Sequence, residues 1–273
     1  MRREDNFLAY FFKIEMTFFS SVILTNQLGK NVKIDPFCFI KEDVTIGDNV
    51  VIHSGVKIEN GVRIGNNVEI FPNSYLGKEP KSSGSLSRKL IFKKELTIGD
   101  GCLIGPNAVI YCDVKLSNNC LIGDGASIRE QVEIGEFSVI GRNSTVNYNV
   151  KIGKRTKIMD LSIVTGNCTI GDDVFIGCLV ATTNDKRFGK GNDFKIEHMH
   201  GPIIEDGVAI GAGANILHGT TIGKGSVVAA GSIVTKNVMS EVLVMGSPAV
   251  VIKKFNDEKK PYNPPKELPR PAL

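Results

Sequence analysis

The stretch Ile98-Gly-Asp-Gly-Cys-Leu-Ile104-Gly-Pro-Asn-Ala-Val-Ile110 states one pattern twice: a large aliphatic, a glycine, polar residues, a small residue and, two places on, the next aliphatic. Extended outward in steps of six, the aliphatic column runs from Leu28 to Leu76, from Ile98 to Ile176 and from Ile204 to Val234. It fills 29 positions with Ile, Leu or Val and fails at none. A second column two residues earlier is small or β-branched, as at Cys38, Val44, Val50, Ala108, Cys120 and Cys168. Two inward positions separated by one outward position make a short strand. The glycine that often follows the aliphatic, as at Gly47, Gly65 and Gly153, reads as the turn residue. Each hexad is therefore one strand and one corner, and the chain is all-β.

Composition agrees with many tight turns and few bulky core residues. The 273 residues include 29 Gly and no Trp, with 7% aromatic and 23% charged residues. Glycine lacks the three-residue period of collagen, and 42% apolar residues is too many for global disorder. A formal charge of +4, from 33 basic and 29 acidic residues, is too balanced to argue for nucleic acid. In the Phe-rich segment 1–21, Lys13 and Glu15 interrupt the apolar run, so neither a membrane span nor an export signal is expected. A cytoplasmic protein with reduced cysteines follows as the expectation, and four of the six cysteines fall in the small inward column. No CxxC pair occurs, and the four histidines lack the spacing of a zinc site.

The repeat breaks at about 77–96 and 185–202, and both stretches are polar and basic. Loops of this length on a rigid scaffold are usually lids or binding loops. The reading is one β domain over 1–252, with an irregular lead-in over 1–27, followed by a Pro-rich tail over 253–273. Positions eighteen apart should stack in one column about 4.8 Å from coil to coil. One such column is Cys112, Glu130, Tyr148, Gly166 and Asn184, continued by His218 and Lys236 if the second insertion only interrupts a coil. This row reads as an outward-facing polar corner, and the second insertion leaves directly after Asn184. His53, His198 and His200 read as packing or solvated side chains, with His218 a reserve candidate.

The [LIV]-G-x-x-x-x run resembles the hexapeptide-repeat family of left-handed parallel β-helices. That resemblance implies a triangular coil of three hexads, about ten coils, and a prism roughly 45–50 Å long at the usual strand spacing. The left hand comes from the resemblance alone, because parallel crossovers are normally right-handed. The family also implies a homotrimer with active sites between subunits. Ile210-Gly-Ala-Gly-Ala-Asn-Ile-Leu-His218-Gly and Gly246-Ser-Pro-Ala-Val250 resemble the C-terminal signature of coenzyme A-dependent acetyltransferases. This implies acetyl-CoA as co-substrate without a metal, held at Ala212, Ala230, Thr235 and Lys236. Lys253 or Lys254 would stand in for the basic residue replaced here by Val250. The block from Ile122 through Asn167, with Thr183-Asn184-Asp185, looks most like N-acetyltransferases of nucleotide-linked amino sugars, in particular dTDP-linked 3-amino-3,6-dideoxyhexoses. By that likeness Asn184 orients the acceptor amine, Glu130 acts as base or sugar contact, and Arg129, Asn147, Tyr148 and Asn149 bind the substrate. Two alternatives stay open at this point: an acyl-carrier-protein-dependent acyltransferase on a UDP-amino sugar, and a non-catalytic β-helical assembly module.

Overall fold

The computed structural model describes residues 21–84, 89–187 and 199–255. These residues form a parallel β-solenoid of three sheets with 11, 10 and 12 strands, and no helix occurs among them. The first sheet opens with Val22–Ile23, the second with Gln27–Leu28 and the third with Lys33–Ile34. The chain visits the three sheets in turn. Edge I leads from the first sheet to the second, edge II from the second to the third, and edge III from the third back to the first. The first rung thus begins inside the segment expected to be an irregular lead-in.

Pairing is in register at the eighteen-residue step, for example Leu96 with Val114 and Val114 with Val132. Strand burial alternates as expected: Val114 and Leu116 point inward while Lys115 points out. The aliphatic column is buried from Ile40 to Val234. Leu28 is 42% exposed, and among the described residues no coil lies beyond its own at that end of the stack. A fully buried Ile or Leu contributes roughly 1.5–3 kcal/mol, so the single aliphatic column is the main source of cohesion. The far end closes with an antiparallel hairpin, Val242–Gly246 against Ala249–Lys254.

Apart from Gly77, the glycine that often follows the aliphatic is not the turn residue. At Gly153 an added Cβ would lie 2.3 Å from Asp172 Oδ1 and 2.5 Å from the backbone of Gly171, so this glycine lets successive coils touch. The left-handed position comes two residues later, at Arg155 after Gly153 and at Asn49 after Gly47. Asparagine suits that position because its side chain tolerates αL geometry. Asn31, Asn49 and Asn67 also hydrogen-bond in a ladder at 3.0 and 3.2 Å.

Both insertions leave from edge I. Val62 pairs with Leu96 and Thr169 with Ile203, each 34 positions on instead of eighteen, so each insertion adds the same length and rejoins the second sheet in register. Among the described residues no helix is long and apolar enough to cross a membrane. The expected tail lies almost wholly outside the described residues, although Lys253 and Lys254 belong to the last strand.

Candidate functional site

Edge I carries most of the candidate residues. Between the insertions its corners are Tyr111-Cys112-Asp113, Arg129-Glu130-Gln131, Asn147-Tyr148-Asn149 and Thr165-Gly166-Asn167. Asp113, Gln131, Asn149 and Asn167 hold the left-handed position of each corner. The middle residue precedes it and does not simply face solvent. Cys112, Glu130 and Gly166 are buried, which corrects the outward-facing row expected from the sequence.

Glu130 is fully buried, and Arg129 donates to its carboxylate from Nε at 2.9 Å and from Nη2 at 3.3 Å. The Arg129 guanidinium lies 4.8 Å from the centre of the Tyr111 ring, so one carboxylate and one aromatic face fix it. The reach of Glu130 toward any ligand therefore passes through Arg129. Burial pushes the neighbouring Cys112 thiol up to about 12, which makes it a packing group.

Tyr148 lies across Gly166. A Cβ there would sit 2.6 Å from the ring, so a larger residue would displace Tyr148 from this position. Asn184 Nδ2 donates to Gly166 O at 3.1 Å and approaches Tyr148 Oη at 3.5 Å. With its amide nitrogen so engaged, the side chain presents its carbonyl oxygen as a hydrogen-bond acceptor. Thr183 Oγ1 accepts from the His218 backbone at 2.9 Å, which continues the edge column past the second insertion.

The two insertions fold toward each other along this edge. Gln131 Nε2 donates to Ile91 O at 3.0 Å, two coils from where the first insertion departs. At the other end, Asn167 Nδ2 donates to Met199 O at 2.7 Å and Tyr148 Oη donates to Met199 Sδ at 3.3 Å. The limbs thus close on the interval from Arg129 to Tyr148. Met199 was not marked by any sequence pattern. Asn149 opens onto the second-sheet flank, where it helps line a groove of about 470 Å³ with Lys93, Gln131 and Lys151. Of the basic residues read into the second insertion, Lys186 and Arg187 are exposed at its start, while Lys190, Lys195 and His198 lie outside the described residues.

The coenzyme candidates do not gather on one edge. Thr235 and Lys236 are exposed on edge I beyond His218, whereas Ala212 and Ala230 are exposed on edge III. Lys253 pairs with Leu243 in the hairpin that ends the third sheet. The first sheet separates the two sets. On edge III, Gly213 and Gly231 follow the two alanines, and an added Cβ at either would meet nothing within 4 Å, so the surface there is open. Among the described residues no group of three or more His, Cys, Asp or Glu comes together to hold a metal ion.

The sequence also gave no sign of a cleft lower on the same edge. It encloses about 490 Å³ under the first insertion, and its floor is Glu59. Glu59 pairs with Lys41 and, at 3.0 Å, with Lys57, and accepts from Tyr75 Oη at 2.6 Å. Burial works against its charge, but the hydrogen bonds from Lys41, Tyr75 and Lys57 outweigh it and hold the carboxyl down to about 2. Lys41, Glu59 and Gly77 are the first corner residues of their coils, in line with Tyr111 and Arg129 above them.

Comparison with known proteins supports the repeat. The model of the bacterial transferase hexapeptide matches residues 27–60 and 201–236, and that of the GMPPB C-terminal domain matches 86–186. No curated protein matches the chain in sequence. Among solved structures, a hexapeptide-repeat-containing acetyltransferase from Vibrio cholerae is 24% identical over 51% of this chain and 72% of its own, with a TM-score of 0.36. The UDP-N-acetylglucosamine acyltransferase of Francisella novicida is 20% identical over 85% of this chain and 67% of its own, TM-score 0.40. The GDP-perosamine N-acetyltransferase of Caulobacter crescentus, solved with CoA and GDP-perosamine, is 21% identical over 57% of this chain and 58% of its own, TM-score 0.37. The chain is a parallel β-solenoid, and the bacterial transferase hexapeptide model matches it in its first coils and again in its last.

Proposed function

We propose that the protein is a cytoplasmic, acetyl-CoA-dependent N-acetyltransferase whose acceptor is a nucleotide-linked amino sugar, in particular a dTDP-linked 3-amino-3,6-dideoxyhexose used in surface glycans. The observation that carries this reading is Asn184 on edge I. Its amide nitrogen is held by Gly166 O, and its carbonyl oxygen is the group that can accept an N–H from a neutral amine. An amine needs orientation more than a strong base, and a fixed acceptor supplies it. The amine then attacks the thioester carbonyl, its proton is lost to water or a nearby group, and the coenzyme leaves as thiolate. A backbone amide stabilises the oxyanion. Arg129, positioned by Glu130, faces the acceptor with Asn147, Tyr148 and Asn149.

The same reading makes the protein a homotrimer. Leu161 and Leu179 occupy left-handed positions on edge III while 53% and 60% exposed. A bulky residue at positive φ is strained, and an exposed one gains no burial in return. Leu103, Leu121 and Phe175 on the third sheet are also exposed. A second copy packed along edge III would cover this apolar set. It would also bring one chain's Ala212 and Ala230 toward its neighbour's edge I. The test is incubation of the full chain with acetyl-CoA and a panel of nucleotide-linked amino sugars, followed by release of free thiol. Acetylation of a dTDP-linked amine is expected; failure of every amine in the panel to release thiol would refute the reading.

A further inference from the structure

The cleft under the first insertion has a construction that the acetyl transfer above does not use. Four lysines, Lys41, Lys57, Lys78 and Lys81, line it against two carboxylates, Glu59 and Glu79. Glu59 is shared by Lys41 and Lys57, and Glu79 pairs with Lys94 at 2.7 Å. Among the described residues no ion pair involves Lys78 or Lys81. The chain's net charge is +4, so the excess of two cations in the lining concentrates much of it in one place.

Lys78 owes its position to a β-bulge. Leu76 pairs with Ile110, Gly77 is skipped, and Lys78 pairs with Tyr111. Gly77 has φ of +78°, and a Cβ there would lie 2.7 Å from Val62 Cγ2, so only glycine fits. The bulge re-aims the next side chain, as bulges beside sites commonly do. Lys78 Nζ consequently lies 5.0 Å from the centre of the Tyr111 ring, whose other cationic neighbour is Arg129. The ring holds the ammonium without neutralising it. Lys57 stands likewise 4.5 Å from the centre of the Tyr75 ring.

The geometry points to a binding site for a diphosphate group, with Lys78 and Lys81 as its direct cations and the Glu59 cluster as its rigid floor. The site takes the diphosphate of a free nucleotide, separate from the acceptor whose amine the proposed function places at Asn184. The coil of Tyr148 lies three coil spacings from that of Lys78, about 14 Å, and that of Arg129 lies between them. The coil of Asn184 is five spacings away, about 24 Å, several times the reach of one hexose ring, so the diphosphate bound here is not the one joined to a sugar held at Asn184.

The experiment is titration calorimetry on the full chain with dTDP, UDP and inorganic pyrophosphate in turn. Both nucleoside diphosphates are expected to bind the parent. The double variant Lys78→Ala/Lys81→Ala should weaken them at least about tenfold. Lys30→Ala/Lys33→Ala removes the same charge from exposed residues outside the cleft, and should leave the affinity within about twofold of the parent. Pyrophosphate binding that follows the same pattern assigns the contact to the diphosphate itself. Absence of binding to the parent, or equal weakening by both double variants, would overturn the site. If the cleft variant binds unchanged while the parent still acetylates an amino sugar, the site fails and the activity stands. Binding lost in the cleft variant of a protein that acetylates no amino sugar would keep the site and remove the activity.

Discussion

Replacement of Glu130 distinguishes a positioning role from an exposed base. Its side chain is fully buried, and two hydrogen bonds of 2.9 and 3.3 Å join it to an Arg129 whose side chain is 25% exposed. Removal of one partner from a fully buried pair costs roughly 3–5 kcal/mol, because the other charge is left uncompensated. Arg129 keeps the face of Tyr111 and some access to water, which lowers the expected cost of Glu130→Ala to about 2–3 kcal/mol. Glu130→Gln retains an oxygen that can accept from Arg129 and should cost about 1–2 kcal/mol. The assay is urea unfolding of the full chain, read as a midpoint shift at unchanged slope. Hydrogen exchange at the Asn149 amide, which donates to Glu130 O at 3.1 Å, reports the same corner locally. In kinetics, both variants should raise the Michaelis constant for the acceptor more than they lower turnover, with Gln the milder. A surface glutamate at a turn would cost under about 0.5 kcal/mol. If Glu130→Ala melts that close to the parent, the carboxylate holds nothing and the reasoning from burial fails.

Asn184→Ala should lose at least about tenfold in turnover, or 1.4 kcal/mol, while unfolding within about 1 kcal/mol of the parent; parental kinetics would free edge I of any acceptor role. His53 lies between Glu69 at 2.9 Å and Asp35 at 3.0 Å, and the hydrogen bond to Glu69, opposed by some desolvation and aided by Asp35, raises its pKa. A raised pKa gives a contribution that is complete below the unfolded value of about 6.5 and lost as pH rises through the folded value. Melting temperature should therefore fall with rising pH above neutrality, and His53→Gln should flatten that fall; parallel profiles would refute the pairing. Leu179→Glu should convert a trimer to monomers in sedimentation at micromolar concentration, and a monomeric parent would remove the covered edge.

The rungs were legible because burial on a single axis leaves no choice of residue: Ile104 and Ile110 must be large and apolar, while Cys102 and Ala108 must be small. Corners were only partly legible. Gly153 and Arg155 exchange the roles that composition suggests, since close approach of coils excludes a Cβ at the first, while the positive φ at the second tolerates a side chain. Glu130 and Asn184 share a column, yet one is buried and the other half-buried. A period of two says which strand residues point inward, but direction at a corner depends on backbone torsions that hydrophobic pattern does not encode. Lys78 was hidden for a related reason. Gly77 looks like the first residue of a loop, and only pairing shows that it is a bulge with a rung residue after it.

The division of candidates between two edges constrains the chemistry more than any single side chain. Edge I carries hydrogen-bonding groups, limbs of two insertions that touch it at Gln131 and Tyr148, and a cationic cleft at its lower end. Edge III in the later coils carries Leu161 and Leu179, followed by Ala212-Gly213 and Ala230-Gly231, which offer little side chain and open backbone. An amine oriented on the first edge and a thioester laid along the third are separated within one chain by the width of the first sheet. Transfer needs the reacting atoms in contact. No bend of the solenoid can supply that, because every coil is tied to its neighbours by in-register pairing on three sides. In the proposed trimer a neighbour would solve both problems at once, burying the leucines of edge III and bringing its own edge I against the small-residue surface. Trimerisation in this reading completes the catalytic site, and a monomer would fold yet be unable to transfer an acetyl group.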